Sequence, residues 1–174
     1  MFGDHTIHLI YKAKNKDPDA FVELMTMYQK DMFRTAMAIL KNEEDSADAI
    51  QETILSCWSN MDSLRNIKYF KTWMTRILIN HCYDIRKRYV ENIEVQDYEI
   101  PVIYNESNFE LYEALGKLDE KYRVPVVLYY GNEYKIREIS DIMGLPLSTV
   151  KTRLARGRKQ LAAYYREEDG NGSL

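Results

Sequence analysis

Between Ser148 and Leu161 the side chains able to donate hydrogen bonds to a polyanion gather on one face of a helical repeat. Thr149, Thr152, Arg153 and Arg156 share that face, flanked by Ser148, Lys151, Arg158 and Lys159, while Val150, Leu154 and Leu161 fall opposite. Guanidinium and ammonium groups so placed can reach guanine edges in a major groove and the phosphates beside it. A second line runs through Trp73, Arg76, Asn80, Tyr83 and Lys87 and ends in the cluster Arg86-Lys87-Arg88. Rings interleaved with cations suit a single strand, because rings stack on exposed bases while cations hold the backbone. The loop before it, Met61 to Lys68, offers Asp62, Ser63, Leu64, Arg65, Asn66 and Lys68 to the edge of an unstacked base. The plain alternatives are a solvated surface helix for the first line and ordinary core packing for Trp73.

Faces of this kind need helices to carry them. Ile136, Ile139, Ile142 and Met143 have the spacing of a short amphipathic helix, followed by Gly144-Leu145-Pro146. A glycine there can take the left-handed C-terminal cap, and the proline suits the first turn of the next helix. Two short helices on a tight glycine turn, the second basic on its free face, form a helix-turn-helix pattern. The N-terminal half reads as helical throughout. Asp17-Pro18-Asp19 starts a stripe of Phe21, Leu24, Met25, Tyr28, Met32, Phe33, Ala36 and Leu40, which Asn42-Glu43-Glu44-Asp45 interrupts. A second helix turns Ala47, Ile50, Ile54 and Trp58 inward and Asp48, Gln51 and Glu52 outward. A third runs from Phe70 to Arg88 with Phe70, Met74, Ile77, Leu78 and Ile85 as its core stripe. No strand alternation of useful length accompanies them; the run Ile100 to Tyr104 is too short to stand alone as a strand.

The chain has 174 residues, 45% of them hydrophobic, with seven glycines and four prolines, which supports packed cores and argues against a fibrous or disordered chain. Net charge is only −3, modest for a nucleic-acid binder until the charges are placed along the chain. Glu91, Glu94, Asp97, Glu99, Glu106, Glu110 and Glu113 follow one another with no Lys or Arg among them, around Pro101. Lys135, Arg137, Lys151, Arg153, Arg156, Arg158, Lys159 and Arg166 then face only Glu138 and Asp141 before the next acid. The expected fold is therefore all-α: a helical domain over residues 1–90, an acidic linker over 91–109 and a helix-turn-helix domain over 110–168.

No apolar run is long enough to span a bilayer, and Asp4, His5 and His8 interrupt any signal-peptide core. Isolated Cys57 and Cys82 fit a reduced, cytoplasmic setting. His5, His8, His81 and Cys82 are the obvious metal-ligand candidates, but His81 and Cys82 point to different faces of a helix. No CxxC, HExxH or glycine-rich phosphate loop is present, so neither a metal, a cofactor nor an enzymatic activity is expected.

Asp45-Ser46-Ala47-Asp48-Ala49-Ile50-Gln51-Glu52-Thr53, Phe70-Lys71-Thr72-Trp73-Met74-Thr75-Arg76-Ile77, Asn80 and Asp84-Ile85-Arg86 resemble the second conserved region of bacterial sigma factors. Thr149-Val150-Lys151-Thr152-Arg153-Leu154 with Arg156-Gly157-Arg158 resembles their fourth region. The order and spacing, with no third domain between, resemble the extracytoplasmic-function class, group four of the sigma-70 family. Ala49-Ile50 departs from the Asp/Glu-Leu frequent there, and Pro146 stands where many members have a capping serine.

The resemblance implies an alternative sigma factor that brings core RNA polymerase to promoter DNA and helps melt the −10 region. Asp45, Asp48, Gln51 and Glu52 would dock on the polymerase β′ clamp, with the C-terminal domain reaching the β flap. Asp62, Ser63, Leu64, Arg65, Asn66, Lys68, Trp73, Arg76, Asn80, Tyr83 and Lys87 would hold the −10 element as its strands part. Ser148, Thr149, Lys151, Thr152, Arg153, Arg156 and Lys159 would read the −35 element as duplex. The acidic linker would lie in a polymerase channel that otherwise takes nucleic acid. An anti-sigma factor, often membrane-anchored in this family, is the implied regulator, and no small-molecule substrate is. A stand-alone helix-turn-helix repressor or activator is the competing reading; it would require a dimer interface to read two half-sites.

Overall fold

Asp17 accepts hydrogen bonds from the amides of Asp19 and Ala20, and Pro18 sits in the first turn where its missing N–H costs nothing. From that cap α2 (Pro18–Leu40) runs until Lys41 takes a left-handed φ of 55°. Asn42 then accepts from the Asp45 amide and opens α3 (Glu43–Asn60). In the computed structural model, which describes residues 3–92 and 109–171, these two are joined by α1 (Asp4–Lys14) and α4 (Phe70–Asn92). α1 lies outside the helices expected from the sequence; it lays Leu9, Ile10 and Ala13 against α2. Leu24, Met32, Met61, Phe70, Met74 and Leu78 are fully buried at the centre.

The inward row of α3 differs from the expected one. Ser46, Ala49, Thr53 and Cys57 are buried, Ile50, Ile54 and Trp58 flank them half-buried, and Ala47 is exposed. Small residues on the contact line let α3 approach α2 and α4 closely, while the bulkier chains fill the grooves on either side. The Ser46 and Thr53 hydroxyls donate to carbonyls one turn back, Asn42 and Ala49, so their burial leaves no donor stranded.

The second half comprises α5 (Phe109–Lys117), α6 (Glu120–Val126), α7 (Ile136–Met143) and α8 (Leu147–Asn171). α6 contains Pro125 and widens into one π turn over Val127–Gly131. Val124, Leu128, Ile139 and Val150 form the core of this half. All elements among the described residues are helical. α4 continues to Asn92, past the expected Arg88, and most of the acidic stretch, including Pro101 and the Ile100–Tyr104 run, lies outside the described residues. No helix among the described residues is long and apolar enough to cross a membrane.

The two halves pack on one another. α2 meets α6 and the π turn, and α4 meets α7. This covers a second flank of α2, burying Thr35, Met37 and Ala38, which the expected single stripe did not include. Arg123, 5% exposed, is tolerated there because its Nε donates to the Ala38 carbonyl at 2.6 Å and its Nη1 to Leu118 at 2.7 Å.

Two expectations follow from this packing. A Cβ on Gly157 would stand 2.7 Å from a Val126 methyl carbon and 3.4 Å from Tyr122. Gly157→Ala should therefore lower stability by about 1–2 kcal/mol by urea denaturation, since overpacking outweighs the gain in helix propensity. Neutral or higher stability would show that α6 and α8 can move apart freely. Separately, burial pushes the thiols of Cys57 and Cys82 up from 9.0 to about 12. At pH 8 both should alkylate on the order of 10³-fold more slowly in the folded chain than in urea. Above pH 9 the unfolded chain ionises first and releases protons that the fold retains, so these groups lower stability as pH climbs toward 12.

Candidate nucleic-acid interfaces

α7 begins where Glu138 accepts from the Lys135 amide and ends at Gly144, whose φ of +62° is the left-handed conformation a tight turn requires. Ser140 fastens the turn, its hydroxyl donating to the Leu145 carbonyl and its carbonyl accepting from the Leu145 amide. Pro146 stands just outside α8 rather than in its first turn, and its carbonyl accepts the first helical bond, from Val150. Val150 and Leu154 are buried and Leu161 is half-buried, which fixes the rotation of the helix. Ser148, Lys151, Thr152, Arg156 and Lys159 are thereby exposed, with Thr149 and Arg153 half-buried beside them. None of Lys151, Arg153, Arg156 or Lys159 has an ion-pair partner among the described residues. Arg158 departs from this row and lines a cleft between the two halves.

In the first half, the loop between α3 and α4 hangs from two buried anchors, Met61 and Leu64. Leu64 is only 3% exposed, so its side chain packs in the core and offers nothing to a base; its expected place in the interface is corrected on that ground. Its carbonyl accepts from Lys14 Nζ at 2.5 Å. Lys16, itself at a left-handed φ of 64°, donates to the Trp58 carbonyl and pairs with Asp62 at 3.5 Å. Asp62, Ser63, Arg65, Asn66 and Lys68 are exposed, though the Asn66 carboxamide also caps the turn that follows by accepting from the Lys68 amide.

Along α4, Arg76, Asn80 and Lys87 are exposed while Trp73 and Tyr83 are half-buried. Trp73 packs against Phe70 with ring centroids 5.9 Å apart, which ties it to the core while leaving it half-exposed. Tyr69, 58% exposed and one turn before Trp73, is an aromatic absent from the expected set. Its spacing of four from Trp73 is the signal that points to it. Tyr83 donates to Glu120 at 3.4 Å, and Arg86 stacks on Tyr83 and pairs with the same carboxylate.

On α3, Asp48, Gln51 and Glu52 are exposed on one side with Asp45 half-buried at its start, an anionic stripe whose first carboxylate, Asp45, lies in the first turn where the helix dipole favours it. Leu55, 62% exposed, continues that stripe by one turn. Ala49, one of the departures noted in the sequence, is fully buried on the far side and leaves the stripe unaltered. Of the metal-ligand candidates, His81 is hydrogen-bonded to the Ser56 hydroxyl at 2.9 Å, His5 to Glu23, and Cys82 is buried. No group of three or more His, Cys, Asp or Glu able to hold a metal ion occurs among the described residues.

Set beside known proteins, residues 24–90 match the family model Sigma-70 region 2 and residues 108–161 the model Sigma-70, region 4. The chain is 30% identical over 178 residues to the ECF RNA polymerase sigma factor SigW of Bacillus subtilis strain 168, covering 91% of this chain and 95% of that one. It is 29% identical over 164 residues to the RNA polymerase sigma factor SigV of the same strain, over 91% and 98% of the two chains. In fold it is similar to CnrH as solved with the cytosolic domain of CnrY, with a TM-score of 0.72, 23% identity and coverage of 94% and 99%. It is equally similar to the sigma factor RpoE of Bartonella quintana solved with the anti-sigma factor NepR, at TM-score 0.72, 22% identity and coverage of 84% and 96%.

Proposed function

The chain belongs to the sigma-70 family as one of its extracytoplasmic-function members, and on that premise we propose how its exposed faces divide the work of starting transcription. It is an alternative sigma factor, an initiation factor without catalytic activity, whose partners are core RNA polymerase and promoter DNA. Its place of action is the cytoplasm, where the polymerase works. An anti-sigma factor is a further partner in this reading, by likeness to the family.

The carrying observation is the cationic row of α8, exposed at Lys151, Arg156 and Lys159 and without ion pairs among the described residues, set on the left-handed Gly144 turn. That row, Ser148, Thr149, Lys151, Thr152, Arg153, Arg156 and Lys159, enters the major groove of the −35 element. Arg153 or Arg156 reads a base edge, while Lys159 holds a phosphate. The exposed loop residues Asp62, Ser63, Arg65, Asn66 and Lys68, with Trp73, Arg76, Asn80, Tyr83 and Lys87 and the added ring of Tyr69, hold the −10 strand. Unstacking a base costs a few kcal/mol, which ring stacking and pocket contacts offset. The stripe of Asp45, Asp48, Gln51 and Glu52 docks on the β′ clamp, and the β flap meets the C-terminal half. We assign residues 1–90 and 110–168 to the two domains and the acidic 91–109 to the linker, threading a channel meant for nucleic acid.

Asp48→Arg with Glu52→Arg should abolish co-purification with core polymerase while helix content by circular dichroism stays unchanged. Retained binding would place the clamp contact elsewhere. On promoter variants, Arg156→Ala should relax discrimination at one −35 position by about 1–3 kcal/mol. Lys159→Ala should weaken all promoters alike and flatten the salt dependence of binding by about one unit of slope. Equal losses on every variant for both would refute the division. Tight sequence-specific binding of duplex promoter by the chain alone would instead favour the stand-alone repressor.

A further inference from the structure

The loop over residues 61–69 is made of two short 3₁₀ turns, Met61–Ser63 and Ile67–Tyr69, each closed by its own bonds. The Leu64 amide donates to the Met61 carbonyl and the Ser63 hydroxyl to that of Asn60, while the Lys68 and Tyr69 amides donate to the Asn66 side chain and carbonyl. Between the turns the backbone is extended, with ψ of 99° at Leu64 and 117° at Asn66, and there Arg65 and Asn66 present exposed side chains. Bonds that close within a turn do not fix the angle between two turns. That angle needs a contact from outside.

The contact comes from α1, which lies against both turns. Lys14, half-buried in the last turn of α1, donates its ammonium to the Leu64 carbonyl at 2.5 Å, across 50 residues of sequence. A charged donor makes the shorter and stronger kind of hydrogen bond. Leu64 thus serves the loop twice, its side chain as a buried anchor and its carbonyl as the acceptor. Lys16 follows at a left-handed φ of 64°. Glycine would take that conformation without strain but would bring no cation to the loop. Lys16 Nζ donates to the Trp58 carbonyl at 3.3 Å, lies 5.6 Å from the centre of the Trp58 ring and stands 3.5 Å from the Asp62 carboxylate. Both partners of that ion pair are exposed, so it adds little to stability; its effect is on where the carboxylate points.

Reading the edge of an unstacked base depends on a few hydrogen bonds, which fail beyond about 3.5 Å and weaken steeply below about 120°. A peptide plane at Leu64 free to turn would carry the Arg65 side chain out of that range. We propose that Lys14 and Lys16 are positioning residues for −10 recognition, a role that rests on the reading of the loop proposed above. From the end of α1 they fix the Leu64 peptide and the Asp62 carboxylate, and so the angle at which Arg65 and Asn66 meet the base. Neither lysine touches the base in this role.

Lys14→Met keeps the aliphatic stem and removes the donor. On promoters varied one base at a time, holoenzyme carrying it should lose about tenfold of the discrimination at the −10 position that Arg65→Ala or Asn66→Ala also relaxes. Core affinity and the ratios among −35 variants should stay at wild-type values, and Lys14→Arg, which retains a cationic donor, should restore most of the loss. A general loss of stability would lower all promoters alike and leave every ratio intact, as would loss of a phosphate contact. Either pattern overturns the proposal, and so does a Lys14→Met protein that discriminates like wild type. Should Lys14→Met lose helix content by circular dichroism, Lys16→Met decides, because its side chain stands at the surface. A loss of about threefold or more at the same position then supports the role, and wild-type discrimination refutes it. Absence of any −10 effect for Arg65→Ala and Asn66→Ala would sink the reading of the loop itself. An effect for those two without one for Lys14→Met sinks the positioning role alone.

Discussion

A helix buried on two sides must find partners for every polar group on both, and α2 is that helix. One flank lies in the N-terminal core through Leu24, Met25, Tyr28 and Met32. The other receives the C-terminal half, and there the backbone itself becomes the acceptor: the Asp31 and Ala38 carbonyls, already within the helix, each accept a further bond, from Asn132 and Arg123. The Asp31 carboxylate meanwhile sits between Lys71 at 2.9 Å and Arg34 at 3.5 Å, so α2, α4 and the π turn are referred to a single charge. A buried or half-buried carboxylate is tolerated only when cations and donors surround it, which is why its neighbours are so constrained.

That constraint sorts the remaining charges. Cations on or against α2, namely Arg34, Lys71 and Arg123, are consumed internally, whereas the row on α8 keeps its side chains free of ion pairs among the described residues. Isolated surface pairs contribute little to stability, so leaving Lys151, Arg156 and Lys159 unpaired sacrifices little and preserves a field for a polyanion. The anionic stripe on α3 is kept apart on another helix, where it does not neutralise that field. A near-zero net charge is therefore compatible with strongly polarised surfaces.

Local chemistry is legible in the sequence to the extent that it is local. Ile139, Ile142, Gly144, Val150 and Leu154 point to α7, the left-handed turn and the rotation of α8, because each acts within one or two helical turns. Asp17 and Pro18 mark the start of α2 for the same reason. Ala47 and Leu64 mislead, since hydrophobic type says nothing about which line of a helix faces a close neighbour or which loop residue serves as an anchor. α1 escapes a reading by periodicity because His5, His8, Lys12 and Lys14 interleave with its apolar residues Ile7, Leu9, Ile10 and Ala13. The hydrogen bonds between the halves leave no trace in the sequence: Thr75 and Tyr134 are separated by 59 residues and Asn132 and Asp31 by 101, and no periodicity connects them.

The π turn at Val127–Gly131 has a consequence for how this sequence tolerates change in length. Five residues per hydrogen-bonded loop in place of four means one residue more than an α-helix would hold, and Asn132 bonds back to Val127 across it. That surplus residue sets the angular phase at which Asn132 and Tyr134 emerge toward α2 and α4. Removing a single residue there would let the segment relax into ordinary α-helix and draw Asn132 and Tyr134 away from their partners on α2 and α4. The helix-turn-helix would keep its own core yet lose its orientation toward the first half. Length variation between related chains should accordingly fall in the connecting segments and spare this turn, which acts as a dial rather than as a spacer.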